Sequence, residues 1–249
     1  MHRISGLLSW RGRVPVAMAV VGLAVLVGGT AAIALSTSAP GHVVSMPAAG
    51  RATATLKVTS GTPVLTSGVA RLGGTLLRVS TPDSAPVRPV LSGSAPVLLS
   101  LVGDGGGQGV RGGRGAGYAV SVVLNSAVVW NLDLAAGTQR TAADLRGGRV
   151  GGITVTAGSD IFDVTLPRPA RTVTLRLAGG ASQFLLSLPG GVPAQVTVGG
   201  GASYLTVDGQ SLIGVAGGTV LTSPGWSTAT SRFDVDAIAG VSRLTVSRW

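Results

Sequence analysis

From about residue 127 to the carboxy terminus, apolar and polar residues alternate in short runs, and a pair of small residues interrupts the runs at a regular interval. With Gly137, Gly158, Gly180, Gly201 and Gly240 as anchors, the intervals are 21, 22, 21 and 39. Each anchor follows a small residue: Ala136, Ala157, Gly179, Gly200 and Ala239. Apolar residues stand five and three positions before the anchors, at Leu132/Leu134, Ile153/Val155, Leu175/Leu177, Val196/Val198 and Val235/Ala237. They recur four and six positions after, at Phe162/Val164, Phe184/Leu186, Leu205/Val207 and Leu244/Val246; the first repeat is degenerate there, with Thr141/Ala143. Alternation with a period of two marks half-buried strands. Each unit therefore predicts a strand, a tight turn at the small pair, and a second strand. One such arch cannot bury its apolar side, but stacked copies share a core.

The predicted fold is all-β: a β-solenoid of about 21-residue coils over residues 127–249, with the five anchor glycines as structural turns. An antiparallel sandwich would also alternate, but it needs no matching residue types at matching offsets. Residues 208–231 break the template and hold roughly one extra coil, modified or looped out, with Trp226 available to pack it. Upstream, strand-like runs at 53–58, 75–80, 96–102 and 118–130 show no 21-residue register. Residues 52–126 are therefore read as an irregular β region, either first coils or a capping sheet, with a Gly-rich loop at 103–117. Residues 247–249 are expected to cap the far end of the stack.

The amino terminus places the chain. Residues 14–35 are 22 residues without a charge, preceded by Arg3, Arg11, Arg13 and Trp10. That length crosses a bilayer as one helix, and the flanking arginines put residues 1–13 in the cytoplasm and the rest outside. The expectation is a single-pass plasma-membrane protein anchored by this helix. A cleaved signal peptide ending at Ala32-Ile33-Ala34 is the competing reading. Residues 36–51 are small and Pro-containing and read as a linker. Neither histidine, His2 or His42, falls in the predicted folded region.

Composition then narrows the chemistry. The 249 residues include 40 Gly but no Cys and no Glu. Thiolate nucleophiles, disulfides, cysteine zinc sites and glutamate bases are excluded, and two histidines cannot supply histidine clusters. Of the 19 Lys+Arg, three precede the apolar segment, so 16 face nine Asp in the exported part, a net of +7. Such a surplus suits an anionic cell-wall polymer or an acidic envelope protein, or serves solubility alone.

The remaining motifs are weak. Gly107-Gln108-Gly109-Val110-Arg111-Gly112 matches the dinucleotide pattern, but no helix or spaced acid follows, so no cofactor is expected. Arg111 and Arg114 in this loop could touch an anionic surface. The stretch lacks aromatic platforms for bases, so no nucleic-acid partner is expected. Asp160/Asp163 and Asp234/Asp236 are the closest acid pairs. An alternative reading makes them the machinery of a polysaccharide-active β-helix enzyme; solvated strand-face carboxylates are the plainer one. No catalytic, cofactor or metal residue is assigned. Ile161, Gln183, Tyr204 and Arg243 stand three positions after their anchors and should form an outward column able to make surface contacts.

AGGASQFLLSLPGGVPAQVTVGGGASYLTVDG at 178–209, then GVAGG, PGW and RFDVDAIAGVSRLTVSRW at 232–249, resemble bacterial envelope toast-rack or putative-adhesin β-solenoids. Similar domains form the carboxy-terminal part of Lia-type cell-wall-stress membrane proteins. The resemblance covers about residues 127–249. It implies a membrane-tethered, non-catalytic domain that contacts proteins or envelope material, in a layout similar to that of actinobacterial envelope proteins, and the leading reading is a structural, adhesive or stress-sensing interaction module.

Overall fold

The computed structural model describes residues 40–104 and 117–249. The expected membrane segment 14–35, residues 1–13, the first part of the linker, and Arg111 and Arg114 in the Gly-rich loop lie outside the described residues. Among the described residues no helix is long and apolar enough to cross a membrane.

The described chain opens with β1 (Pro40–Pro47), followed by a coil of β2 (Thr53–Val58) and β3 (Thr62–Ala70). Next come β4 (Thr75–Pro82) and β5 (Val87–Ser92), then a coil of β6 (Val97–Gly103) and β7 (Ala119–Asn125). Three regular coils follow: β8 (Val129–Leu134) with β9 (Thr138–Asp144), β10 (Arg149–Val155) with β11 (Ser159–Thr165), and β12 (Val173–Leu177) with β13 (Ala181–Leu188). The chain continues through β14 (Ala194–Val198), β15 (Ala202–Val207), β16 (Gln210–Val215) and β17 (Thr219–Thr222). It ends in a coil of β18 (Phe233–Ala237) and β19 (Val241–Arg248).

These strands form two parallel-rich sheets, an arrangement consistent with a β-solenoid. The nine-stranded sheet runs β17-β14-β18-β12-β10-β8-β2-β6-β5, and the ten-stranded sheet β1-β4-β7-β3-β9-β11-β13-β19-β15-β16. Ser159 pairs with Thr138 on one side and Ala181 on the other, steps of 21 and 22 residues. The alternating apolar positions of both sheets meet in one core; Phe162 and Phe184 stack edge-on within it, ring centres 5.4 Å apart.

Chain order and spatial order part company at both ends of the stack. The β18–β19 coil lies between β12–β13 and β14–β15, and the β2–β3 coil between β6–β7 and β8–β9. This accounts for the 39-residue interval. After β15 the chain reverses at Asp208-Gly209, both at positive φ (51° and 84°), the primed hairpin geometry that suits Asp-Gly. It lays β16 antiparallel on β15 and β17 antiparallel on β14. It then returns past β14 to fill the gap with β18 and β19. The extra coil is thus an antiparallel edge. Residues 247–249 cap nothing, because β19 is paired on both sides, with β13 and β15.

The amino-terminal half also differs from the expectation. Residues 40–47, expected as linker, form β1 against β4, because Val44 and Met46 pack on the core; His42 is therefore inside the folded domain. Of the two readings of residues 52–126, first coils or a capping sheet, the strands take the first. β2–β3 and β6–β7 join β8–β9 in the same parallel sheets; β4 runs antiparallel to β7, and β1 and β5 form the antiparallel edge of the two sheets. Prolines 40, 47 and 89 and two bulges interrupt that edge and discourage further pairing.

At the turns between first and second strands, hereafter the glycine corner, the tight residue is the one before the anchor. A methyl group added at Gly137, Gly158 or Gly180 would sit 3.4, 3.4 or 3.5 Å from the next turn's carbonyl, an ordinary contact. Only Gly201 of the five anchors has positive φ, +82°. At Gly179 the same methyl overlaps the Ala157 carbonyl, and at Gly200 it meets the carbonyl carbon of Ala239 at 2.6 Å. Each of these glycines lies on the backbone of an alanine turn.

The inserted last coil is latched at the opposite corner. Arg248 donates to both oxygens of Asp208, to the Val192 carbonyl (2.7 Å) and to Ser223 Oγ (3.2 Å); Ser223 in turn donates to Asp208. The Arg248 guanidinium holds the Asp208 carboxyl below its usual range, partial burial opposes the shift, and the Ser223 hydroxyl reinforces it.

Gly179→Ala is expected to destabilise by about 1–3 kcal/mol through overpacking, and Gly180→Ala by about 0.5 kcal/mol or less, both measured by urea unfolding. Equal effects would contradict the corner geometry. A depressed carboxyl stabilises above its unfolded pKa and loses that contribution as pH falls through the folded value. The stability difference between wild type and Arg248→Ala should therefore shrink as pH drops below about 4. An unchanged difference at pH 2 and pH 7 would argue against the latch.

Candidate functional site

The outward column expected from the sequence occupies one row of the ten-stranded sheet. Pairing runs Arg140–Ile161–Gln183–Arg243–Tyr204–Ile213, so the late insertion of β19 puts Arg243 between Gln183 and Tyr204. The Arg243 guanidinium lies 5.3 Å from the Tyr204 ring centre, and Tyr204 and Ile213 are exposed. The row is an amphipathic strip with no cavity along it among those described.

The aspartate pairs are not brought together. Asp160 and Asp163 lie on β11 in the ten-stranded sheet, and Asp234 and Asp236 on β18 in the nine-stranded sheet. Burial pushes the Asp163 carboxyl up, against the weaker pull of Arg140, whose guanidinium is 3.9 Å away. Lys57, the lone lysine, is held by Asp133 at 2.8 Å. Among the described residues no group of three or more His, Cys, Asp or Glu side chains is placed to hold a metal.

A third feature escaped the sequence reading. Seven three-residue turns of the glycine corner, 59–61, 135–137, 156–158, 178–180, 199–201, 216–218 and 238–240, carry no ionisable side chain; the β4–β5 turn and the β6–β7 connection at the same corner bring Asp83 and Asp104. At the opposite corner, where the chain leaves the ten-stranded sheet, lie Arg51, Arg71, Arg146, Arg149, Arg168, Arg171, Arg232 and Arg248. Two of these are neutralised locally, Arg146 by Asp144 and Arg248 by Asp208. Arg232 stacks 4.2 Å over Trp226 and donates to its carbonyl, while Trp226 Nε1 donates to the Phe233 carbonyl, which ties the 223–232 excursion to the stack. Arg168 donates to the Gly190 carbonyl. Arg71, Arg149 and Arg171 are exposed and have no ion-pair partner among the described residues. A row of guanidinium groups along one corner focuses a positive potential there. The net charge gave its sign; sorting each arginine by its position in the coil would have given its place.

No family model matches the sequence, and no curated protein matches it. The fold is similar to the crystal structure of a putative cell adhesion protein from Clostridium sporogenes. The two share 15% identity with a TM-score of 0.62, over 84% of this chain and 98% of that one. This likeness extends the architecture beyond residues 127–249 to most of the chain.

Proposed function

We propose that this protein is a membrane-anchored, extracytoplasmic, non-catalytic module of the bacterial envelope, structural or adhesive in role, that contacts anionic envelope material through its arginine corner. The segregation of arginines to one corner carries the reading. A general solubility charge would be spread evenly over the outward positions of both sheets, whereas eight of the thirteen described arginines line the turns of one corner and five (Arg78, Arg88, Arg140, Arg176 and Arg243) stand on the sheet faces. The uncharged segment 14–35 with its preceding arginines supports the anchored, outside placement of the domain. The fold's likeness to a putative cell adhesion protein supports an adhesive role over the alternative of a polysaccharide-active enzyme. For that alternative, the two aspartate pairs lie on different sheets.

The lack of cysteine makes topology directly testable. Thr230→Cys, exposed in the described domain, should react with a membrane-impermeant maleimide in intact cells. Ser5→Cys should react only after lysis. Protection of Thr230→Cys in intact cells would overturn the outside placement.

A further inference from the structure

At the arginine corner, three turns from three different coils meet: residues 70–75 between β3 and β4, 125–129 between β7 and β8, and 144–149 between β9 and β10. Between them lies an open cleft of about 540 Å³, bounded by Arg71, Asn125, Ser126, Arg149 and the glycines 73, 147 and 148. Arg71 and Arg149 come from turns 78 residues apart in sequence, are exposed, and face no carboxylate in the cleft lining. All nine aspartates of the chain are among the described residues, so no acid elsewhere in the sequence remains to fill the site.

The walls are fixed before any ligand arrives. Asn125 is 3% exposed, and its side chain is fully engaged. Nδ2 donates to the Gly73 carbonyl (3.0 Å) and the Thr75 carbonyl (2.7 Å), and Oδ1 accepts from the Ala127 amide (3.1 Å). The buried Trp130 donates its indole N–H to the Asn125 carbonyl at 3.0 Å, and the Ser126 amide donates to the Ala70 carbonyl at 2.9 Å. Gly148 lies so close to Val69 that an added methyl would come within 2.8 Å of its Cγ1. A buried asparagine and a buried tryptophan thus hold two turns in place, and a glycine lets the third lie against them. Preorganised walls of this kind lower the entropic cost of binding.

The opposite end of the stack supplies an internal comparison. There the turn 223–232 also carries the chain past one coil, and Arg248 stands at that junction with Asp208 bound across its fork. The fold fills one junction with its own carboxylate and leaves two guanidinium groups without one at the other.

We infer that the Arg71–Ser126–Arg149 cleft is a binding site for an oxyanion, a phosphate or carboxylate group borne on an anionic envelope polymer. Guanidinium forks match both groups through paired N–H donors, and Ser126 adds a hydroxyl. The inference deepens the function proposed above by naming its contact site, yet binding by purified protein does not depend on which side of the membrane the domain occupies.

The test uses the full chain in non-ionic detergent, with thermal unfolding followed by circular dichroism at matched ionic strength. Glycerol phosphate and glucuronate are the phosphate and carboxylate probes, and glycerol and glucose the neutral controls. A ligand bound only by the folded state raises the melting temperature with concentration. The expected result is a rise with one or both oxyanions and none with the neutral controls; the larger rise identifies the preferred group. In Arg71→Ala/Arg149→Ala the melting temperature without ligand should hold, while the apparent affinity falls about tenfold or more. Arg176→Ala, on the outer face of the nine-stranded sheet, should bind as wild type. No rise with either oxyanion up to 100 mM, or an equal rise in the double variant, would overturn the proposal.

Discussion

The spacing of the coils governs this molecule. Strands paired in parallel register stand about 4.7–4.9 Å apart, so every turn must fit within that thickness beside its neighbours. Away from the β4–β5 and β6–β7 connections at one end of the stack, the glycine corner meets the constraint by elimination: three-residue turns, no charge, and glycine where a turn rests on an alanine turn's backbone. Long polar side chains have no room there. They collect at the other corner, on connections that range from the 145–148 turn to the 223–232 excursion. The charge asymmetry is thus a consequence of stacking geometry as much as of any partner. It gives a repeating, externally accessible row at no cost to the core.

The same ladder demands that no coil be missing. β14–β15 and β12–β13 are separated by a slot the width of one coil, filled only by the last residues of the chain. Phe233, Val235, Leu244 and Val246 in that slot are at most 1% exposed, and both strands are paired on either side. The β2–β3 coil occupies the corresponding slot near the amino-terminal end. The outermost positions are left to antiparallel strands: β1 and β5 at one end, β16 and β17 at the other. Both terminal coils are therefore locked between neighbours instead of fraying at an edge. Such pairing joins residues far apart in sequence, which favours slow folding, with β18–β19 placed only after its slot exists.

This permutation explains which parts of the fold could be read from the sequence. The regular coils were legible because Leu132/Leu134, Ile153/Val155 and their successors repeat the same chemistry at the same offsets. Their order in space was not, because a 39-residue interval fits a looped-out coil or an inserted one equally well. The Asp208-Gly209 hairpin signature was present, and it marks where the parallel progression ends. Residues 52–126 hid their register because β4 and β5 run against it and the β6–β7 turn is a long glycine loop in place of a small pair. Residues 40–47 looked like linker because two prolines and a glycine mask the alternation that seats Val44 and Met46. The column of Ile161, Gln183, Arg243 and Tyr204 could be listed by offset, but not placed in order until the insertion was known. The cleft was illegible for a further reason: Arg71 and Arg149 are neighbours only because β3 lies beside β9, across 78 residues of chain.

The departures from regular order are also what open space for a ligand. Along β8 to β13 each turn follows the last. Where residues 70–75 must carry the chain from β3 past β7 to reach β4, that connection runs alongside the 125–129 turn and leaves a gap before the 144–149 turn. Such a gap exposes backbone carbonyls, which Asn125 answers from within by accepting the burial of an amide side chain. At the other end the equivalent gap is closed by Arg248, Asp208, Ser223 and Trp226. Were the amino-terminal gap a packing defect alone, the same solution would serve: one arginine, one aspartate and an aromatic lid. Two solvent-exposed guanidinium groups with no carboxylate partner over a braced floor are a different solution, and one that leaves their paired N–H donors free for a negative group from outside the chain.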